Sequence, residues 1–191
     1  MFRNKKGVYG YIDKKKIIEA VFTVILFGIV LSIFLIGYFT THTRANLMTI
    51  AAVLGTLPAG KKAVDFIIVL KYKTFEKKSY EKCLQHEGKL TCAYDMIISS
   101  YNGLMPLNAV AISGNTVVGY TSAQIDDQKL SNHIKEILLN NNYNKVSVKV
   151  YQKLDVYLNR LDEMNKHLNS AEIHKDEQEK NIKSVILAIS I

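Results

Sequence analysis

The residues of this chain whose types and spacing suit chemistry fall into small, separate groups. Gly55-TLPA-Gly60-Lys61-Lys62 satisfies G-x-x-x-x-G-K, the pattern of a loop whose backbone amides cradle phosphate. It departs at Lys62, where the magnesium-binding hydroxyl of Ser or Thr belongs, and it sits in an apolar run without a preceding strand. Nucleotide binding is not expected there. Cys83, His86 and Cys92 offer soft ligands, but C-x8-C with one histidine matches no common zinc spacing and has no fourth donor nearby. On one helix the two thiols would stand roughly 13 Å apart, beyond disulfide reach, so they read as reduced, buried cysteines of a cytosolic compartment. His167 and His174, with Asp162, Glu163 and Asp176, form the densest set of potential ligands. Their seven-residue spacing puts the histidines on one helical face but roughly 10 Å apart, so they read as a solvated helix end. Asp126 and Asp127 stand as helix caps rather than a catalytic pair, and His133 as a boundary residue beside Ile134. There is no G-x-S-x-G, H-E-x-x-H, paired C-x-x-C or post-strand G-x-G-x-x-G. No catalytic, cofactor-binding or metal-binding residue is therefore assigned from sequence.

The elements that would position any site begin with a membrane-like half. The chain has 191 residues and a net charge of +8. Through Lys71, ten Lys/Arg face three Asp/Glu; from Tyr72 onward, fifteen face fourteen. The basic excess thus belongs to the N-terminal part, and nucleic-acid binding by the nearly neutral remainder is disfavoured. Residues 1–16 form a basic segment, and Ile17 to Phe39 reads as a first transmembrane helix with one charge, Glu19, at its edge. Residues 40–45 make a short external turn. Residues 46–70 read as a second span whose cytosolic end falls between Gly60 and Leu70. A Lys or Asp at a bilayer centre costs about 2.5 to 3.5 kcal/mol, so Lys61, Lys62 and Asp65 must snorkel or pair. Lys61 and Asp65, four apart, are the expected partners. Lysines cluster on both outer flanks and only Arg44 lies between the spans, so both termini are expected in the cytoplasm of a multi-pass cell-membrane protein. The same flanks suit anionic headgroups. The Lys-, Ile- and Asn-rich, Trp-free composition is compatible with an AT-rich bacterial source.

Residues 71–191 then read as a cytosolic α/β domain of order α-β-β-α-β-α-β with a mixed sheet. Apolar residues between Thr74 and Ser100 fall at helical spacing, with Gly88 as a break. Leu107 to Ile112 and Thr116 to Tyr120 flank Ser113-Gly114-Asn115 as a hairpin, preceded by a candidate loop surface at Tyr101, Asn102 and Gly103. A helix follows Asp126 or Asp127, and Lys145 to Tyr151 alternates as a strand and a candidate exposed edge. A helix striped by Leu154, Tyr157, Leu158, Leu161, Met164 and Leu168 comes next. The apolar run from Ser184 to Ile191 reads as a buried strand.

This order of a helix, a hairpin and a later βα unit resembles the restriction-endonuclease-like nucleases, some of which are membrane-tethered. The resemblance implies an Asp on one hairpin strand and an acid-x-Lys on the next to hold a divalent ion. Here those strands read LNAVAI and TVVGY, without an acid, and KVSVKVY has lysines but no carboxylate. The leading expectation is therefore a non-catalytic, membrane-anchored interaction or sensing module with a protein partner or homo-oligomeric state. The alternative is a membrane-tethered, metal-dependent hydrolase with a nuclease-like α/β domain.

Overall fold

The computed structural model describes residues 5–43, 46–101, 103–169 and 176–191. Its elements are α1 (Tyr11–Thr41), α2 (Leu47–Leu70), α3 (Lys77–Glu87), β1 (Thr91–Ser100), β2 (Gly103–Ser113), β3 (Thr116–Tyr120), α4 (Asp127–Asn140), β4 (Ser147–Tyr151), α5 (Leu154–Asn169) and α6 (Asp176–Ala188). Ile12–Lys73 form one compact unit, and the residues up to Tyr11 join Thr74–Ile191 in the other.

In the helical unit, α1 is long and apolar enough to cross a membrane. Large apolar side chains along it are exposed, among them Val24, Phe27, Ile36 and Phe39, as a lipid-facing helix requires. α2 runs without interruption through Pro58 to Leu70. Asn46 caps its start, accepting the amide of Thr49 at 2.8 Å. A Cβ added at Gly37 would collide with Met48, and one at Gly55 would lie 3.0 Å from Val30. Small residues thus allow the two helices to approach.

In the other unit, β1, β2 and β3 form an antiparallel meander, and β4 joins β3 in parallel through the α4 crossover. One face of this sheet packs on α4 and α6 through Leu130, Ile134, Leu138, Ile182 and Ile186. The other packs on α3 and α5 through Cys83, Tyr157, Leu158, Leu161 and Met164. The result is a three-layer α/β/α arrangement.

This mixed-sheet α/β architecture matches the expected class, but its order of elements differs. The helix expected over Thr74 to Ser100 is instead α3 followed by β1. Gly88, at φ 52°, ends the helix, and a Cβ there would run into Asn165. Seven consecutive residues, Cys92 to Ile98, are buried, and a strand covered on both faces loses the alternation that would mark it. The expected C-terminal strand is α6, and only Ser190 beyond it bridges β1, opposite Ile98. The apolar run there is the tail of a helix that begins in the charged stretch. Cys83 and Cys92 consequently lie on different elements, both as free thiols.

The meander changes phase halfway along. Ala93 and Met96, three apart, join the same side of the core, whereas Leu107 and Ala109, two apart, join opposite sides. The reversal falls between the pairs Tyr94↔Ala109 and Met96↔Leu107, where Asp95 adopts φ 53°. A left-handed residue inside a strand resets which way its neighbours point.

Candidate functional site

Asp95 is wholly buried at the point where β1 changes phase. One carboxylate oxygen accepts the amide of Gly10 at 2.6 Å, and the other accepts the amide of Phe75 at 2.7 Å. Gly10 immediately precedes α1, and Phe75 follows the end of α2. One side chain in the sheet therefore holds the chain both before and after the helical pair. Its neighbours extend the attachment. Tyr94 donates its amide to the carbonyl of Gly7 at 3.0 Å, and Lys6 Nζ donates to the carbonyl of Ser190 at 2.5 Å. Tyr9 stacks on Tyr80 with ring centroids 4.0 Å apart, and Phe75 meets Tyr80 edge-on and Tyr120 at a tilt. Tyr94 also meets Tyr80 edge-on and donates its hydroxyl to Glu87. Burial pushes the Tyr94 hydroxyl and the Cys92 thiol well up, with the Glu87 carboxylate acting in the same direction. These groups stay neutral at physiological pH, as a packed aromatic core requires.

A second buried carboxylate does similar work. Glu179 on α6 accepts the amide of Gly114 at 2.6 Å and the hydroxyl of Thr91 at 2.8 Å, tying the β2–β3 turn to the start of β1.

Outside the core, a groove of about 380 Å³ runs along β3, β4 and α5, lined by Thr116, Ser147, Lys149, Tyr151, Arg160 and Glu163 among others. Arg160 is paired with Glu163 at 2.6 Å, and Lys149 lies over the ring of Tyr151 at 5.2 Å. In the sheet, β4 is the last strand. The Val150 amide is taken by the hydroxyl of Ser131, which in turn donates to the Asp127 carbonyl. That bond and Lys149 guard the edge against strand addition.

No family model, curated protein or solved structure matches this chain.

The phosphate-loop pattern is wound into α2, so Gly55 to Lys61 form helix rather than an open cradle. Lys62 is the paired lysine of that segment: its Nζ lies 2.9 Å from Glu19 of α1 and 3.7 Å from Asp65. The expected Lys61–Asp65 pairing thus falls to Lys62, and Glu19, read only as an edge charge, is its nearer acid. His86 bonds Asp162 at 2.7 Å, linking α3 to α5. Glu163 turns to Arg160, and His167 is exposed near the end of α5. His174 and Asn102 lie outside the described residues.

Asp126 caps α4 by accepting the Lys129 amide at 3.0 Å, and Asp127 opens that helix. The Lys129 amide holds the Asp126 carboxyl below its usual range. His133 bonds the carbonyl of Ser99. Among the described residues, no three His, Cys, Asp or Glu side chains come together in a metal-holding group. Sequence reasoning missed Asp95 and Glu179 as anchors. The signal available was an acid inside an otherwise apolar run, CAYDMII, which a fold buries only with donors aimed at it.

Proposed function

We propose that the chain is a membrane-anchored, non-catalytic interaction or sensing module, with α1 and α2 both crossing the bilayer and the α/β domain on the cytoplasmic side. The carboxylate of Asp95 carries this reading. Amides on either side of the helical segment reach one carboxylate only if Gly10 and Phe75 lie on the same side of the membrane. Crossings between them are then even in number, and α2 supplies the second. Lys62 of α2 pairs with both Glu19 and Asp65, so the charged end of α2 is tolerable near the bilayer edge. Lysines at the start of α1 and after α2 favour the cytoplasm as that common side. The buried Asp95 serves as a structural anchor on two amides, which supports a binding role over a hydrolytic one.

Topology is tested by membrane-impermeant maleimide labelling, because both native cysteines are buried. Thr43→Cys should label from outside intact cells, and Lys78→Cys only after permeabilisation; the reverse pattern would sink the topology. The interaction role is tested by mild detergent extraction with an N-terminal tag, followed by copurification and size analysis. A stoichiometric partner or a defined oligomer is expected. A lone monomer would turn attention to the second reading, a membrane-tethered hydrolase, which draws support from the order helix, meander, helix, parallel strand. That reading predicts phosphodiester cleavage dependent on magnesium or manganese.

A further inference from the structure

We propose that Asp95 couples the two arms flanking the helical pair, residues 5–10 and 74–76, so that they dock on β1 together and leave it together. One carboxyl group serves both arms, with one oxygen on each amide. A carboxylate stays buried only while hydrogen-bond donors replace its water. With both arms seated, each oxygen has an amide; with both released, water reaches the group. A single seated arm keeps the carboxylate buried while taking one of those amides away, which makes it the worst of the three states.

Tyr80 reinforces the coupling, because Tyr9 of the first arm stacks on it and Phe75 of the second meets its edge. Asp95 itself is held at φ 53° between strand residues that face opposite sides of the core. Such a backbone persists only while its surroundings determine it. The arms thus form one latch, and a pull on either end of the helical pair would free both and expose the centre of β1. The use of this latch in sensing rests on the anchored-module reading, whereas the coupling itself is a property of the domain.

Hydrogen exchange of the full chain in lipid nanodiscs, read by mass spectrometry, tests it. Asp95→Asn presents one oxygen and one amino group, so it can accept only one of the two amides. Coupled arms predict that peptides covering 5–11 and 74–76 both exchange faster by about tenfold or more, while α4 and α5 keep their protection. Acceleration of one arm alone overturns the proposal, and so does no acceleration. Should the Asn variant fail to fold, Tyr9→Ala loosens the first arm with the carboxylate intact. Faster exchange at 74–76 is then expected, and a change confined to 5–11 refutes the coupling. Membrane sedimentation of the parent chain is read separately, so a failure of anchoring is distinguishable from a failure of coupling.

Discussion

Glu179 offers the sharpest energetic test of the domain. Its side chain is buried, with one oxygen on the amide of Gly114 and the other on the hydroxyl of Thr91. Glu179→Ala deletes a charge-assisted bond to a buried amide, about 2 kcal/mol, and a hydroxyl bond, about 1 kcal/mol. The expected loss is about 3 kcal/mol, a large share of the roughly 5 to 15 kcal/mol that holds a typical domain together. At about 3 °C per kcal/mol, the midpoint should fall by about 9 °C. Glu179→Gln should cost only about 1 kcal/mol, because its oxygen can keep the Gly114 amide. Its amino group can meanwhile donate to Thr91, whose hydroxyl turns to accept. Thermal unfolding of the full chain in detergent, followed by tyrosine fluorescence in this Trp-free sequence, measures both variants. A Gln variant as damaged as the Ala variant would show that acceptor geometry is not what Glu179 supplies. An Ala variant within about 0.5 kcal/mol of the parent would show the anchor to be inert.

Cys83, whose thiol burial pushes up to about 12 with help from the nearby Glu87 charge, should resist maleimide at pH 8 in the native state and label once denatured. Rapid native labelling would contradict its packing. The lowered carboxyl of Asp126 supports α4 fully above the ordinary aspartate range near about 4, and that support is lost as pH falls through the lower folded value. Protection in the first turn of α4, taken relative to the intrinsic exchange rate at each pH, should therefore fall on acidification, and Asp126→Asn should remove this pH dependence while still capping. Removing residues 187–191 takes away the Ile191 amide bond to Ile97 and the Ser190 bridge to β1. Amides from Ile97 to Ser99 should lose protection, and their unchanged exchange would show the cover to be dispensable.

The parts legible in the sequence were those with one wet and one dry side. The α5 stripe and the cap and apolar face of α4 follow their helical period, and the strand alternation expected around β4 holds, with Val146 just before it and Val150 within it buried. β1 was hidden because it is covered on both faces and because Asp95 reverses its phase, so no period of two survives. α6 was hidden because its final turns are apolar on every side, and such a run does not distinguish helix from strand without its length. The anchors were illegible for a different reason. Asp95 and Glu179 bond backbone amides up to 85 and 65 residues away, and a backbone donor has no residue type to recognise.

The docking of residues 5–10 also orders the biosynthesis of the protein. This arm leaves the ribosome ahead of α1 and α2, yet its seat on β1 and the Ser190 carbonyl beyond α6 that receives Lys6 are translated after them, at separations of 85 and 184 residues. Contacts this distant form late, after nearer ones have been made. Under the proposed two-span anchoring, the helices are committed to the bilayer before the domain closes. A chain that left its first arm on the far side would carry a domain with an uncovered β1 edge, and an uncovered edge is a ready target for aggregation and proteolysis. Completion of the domain would thereby act as a proofreading step for membrane insertion.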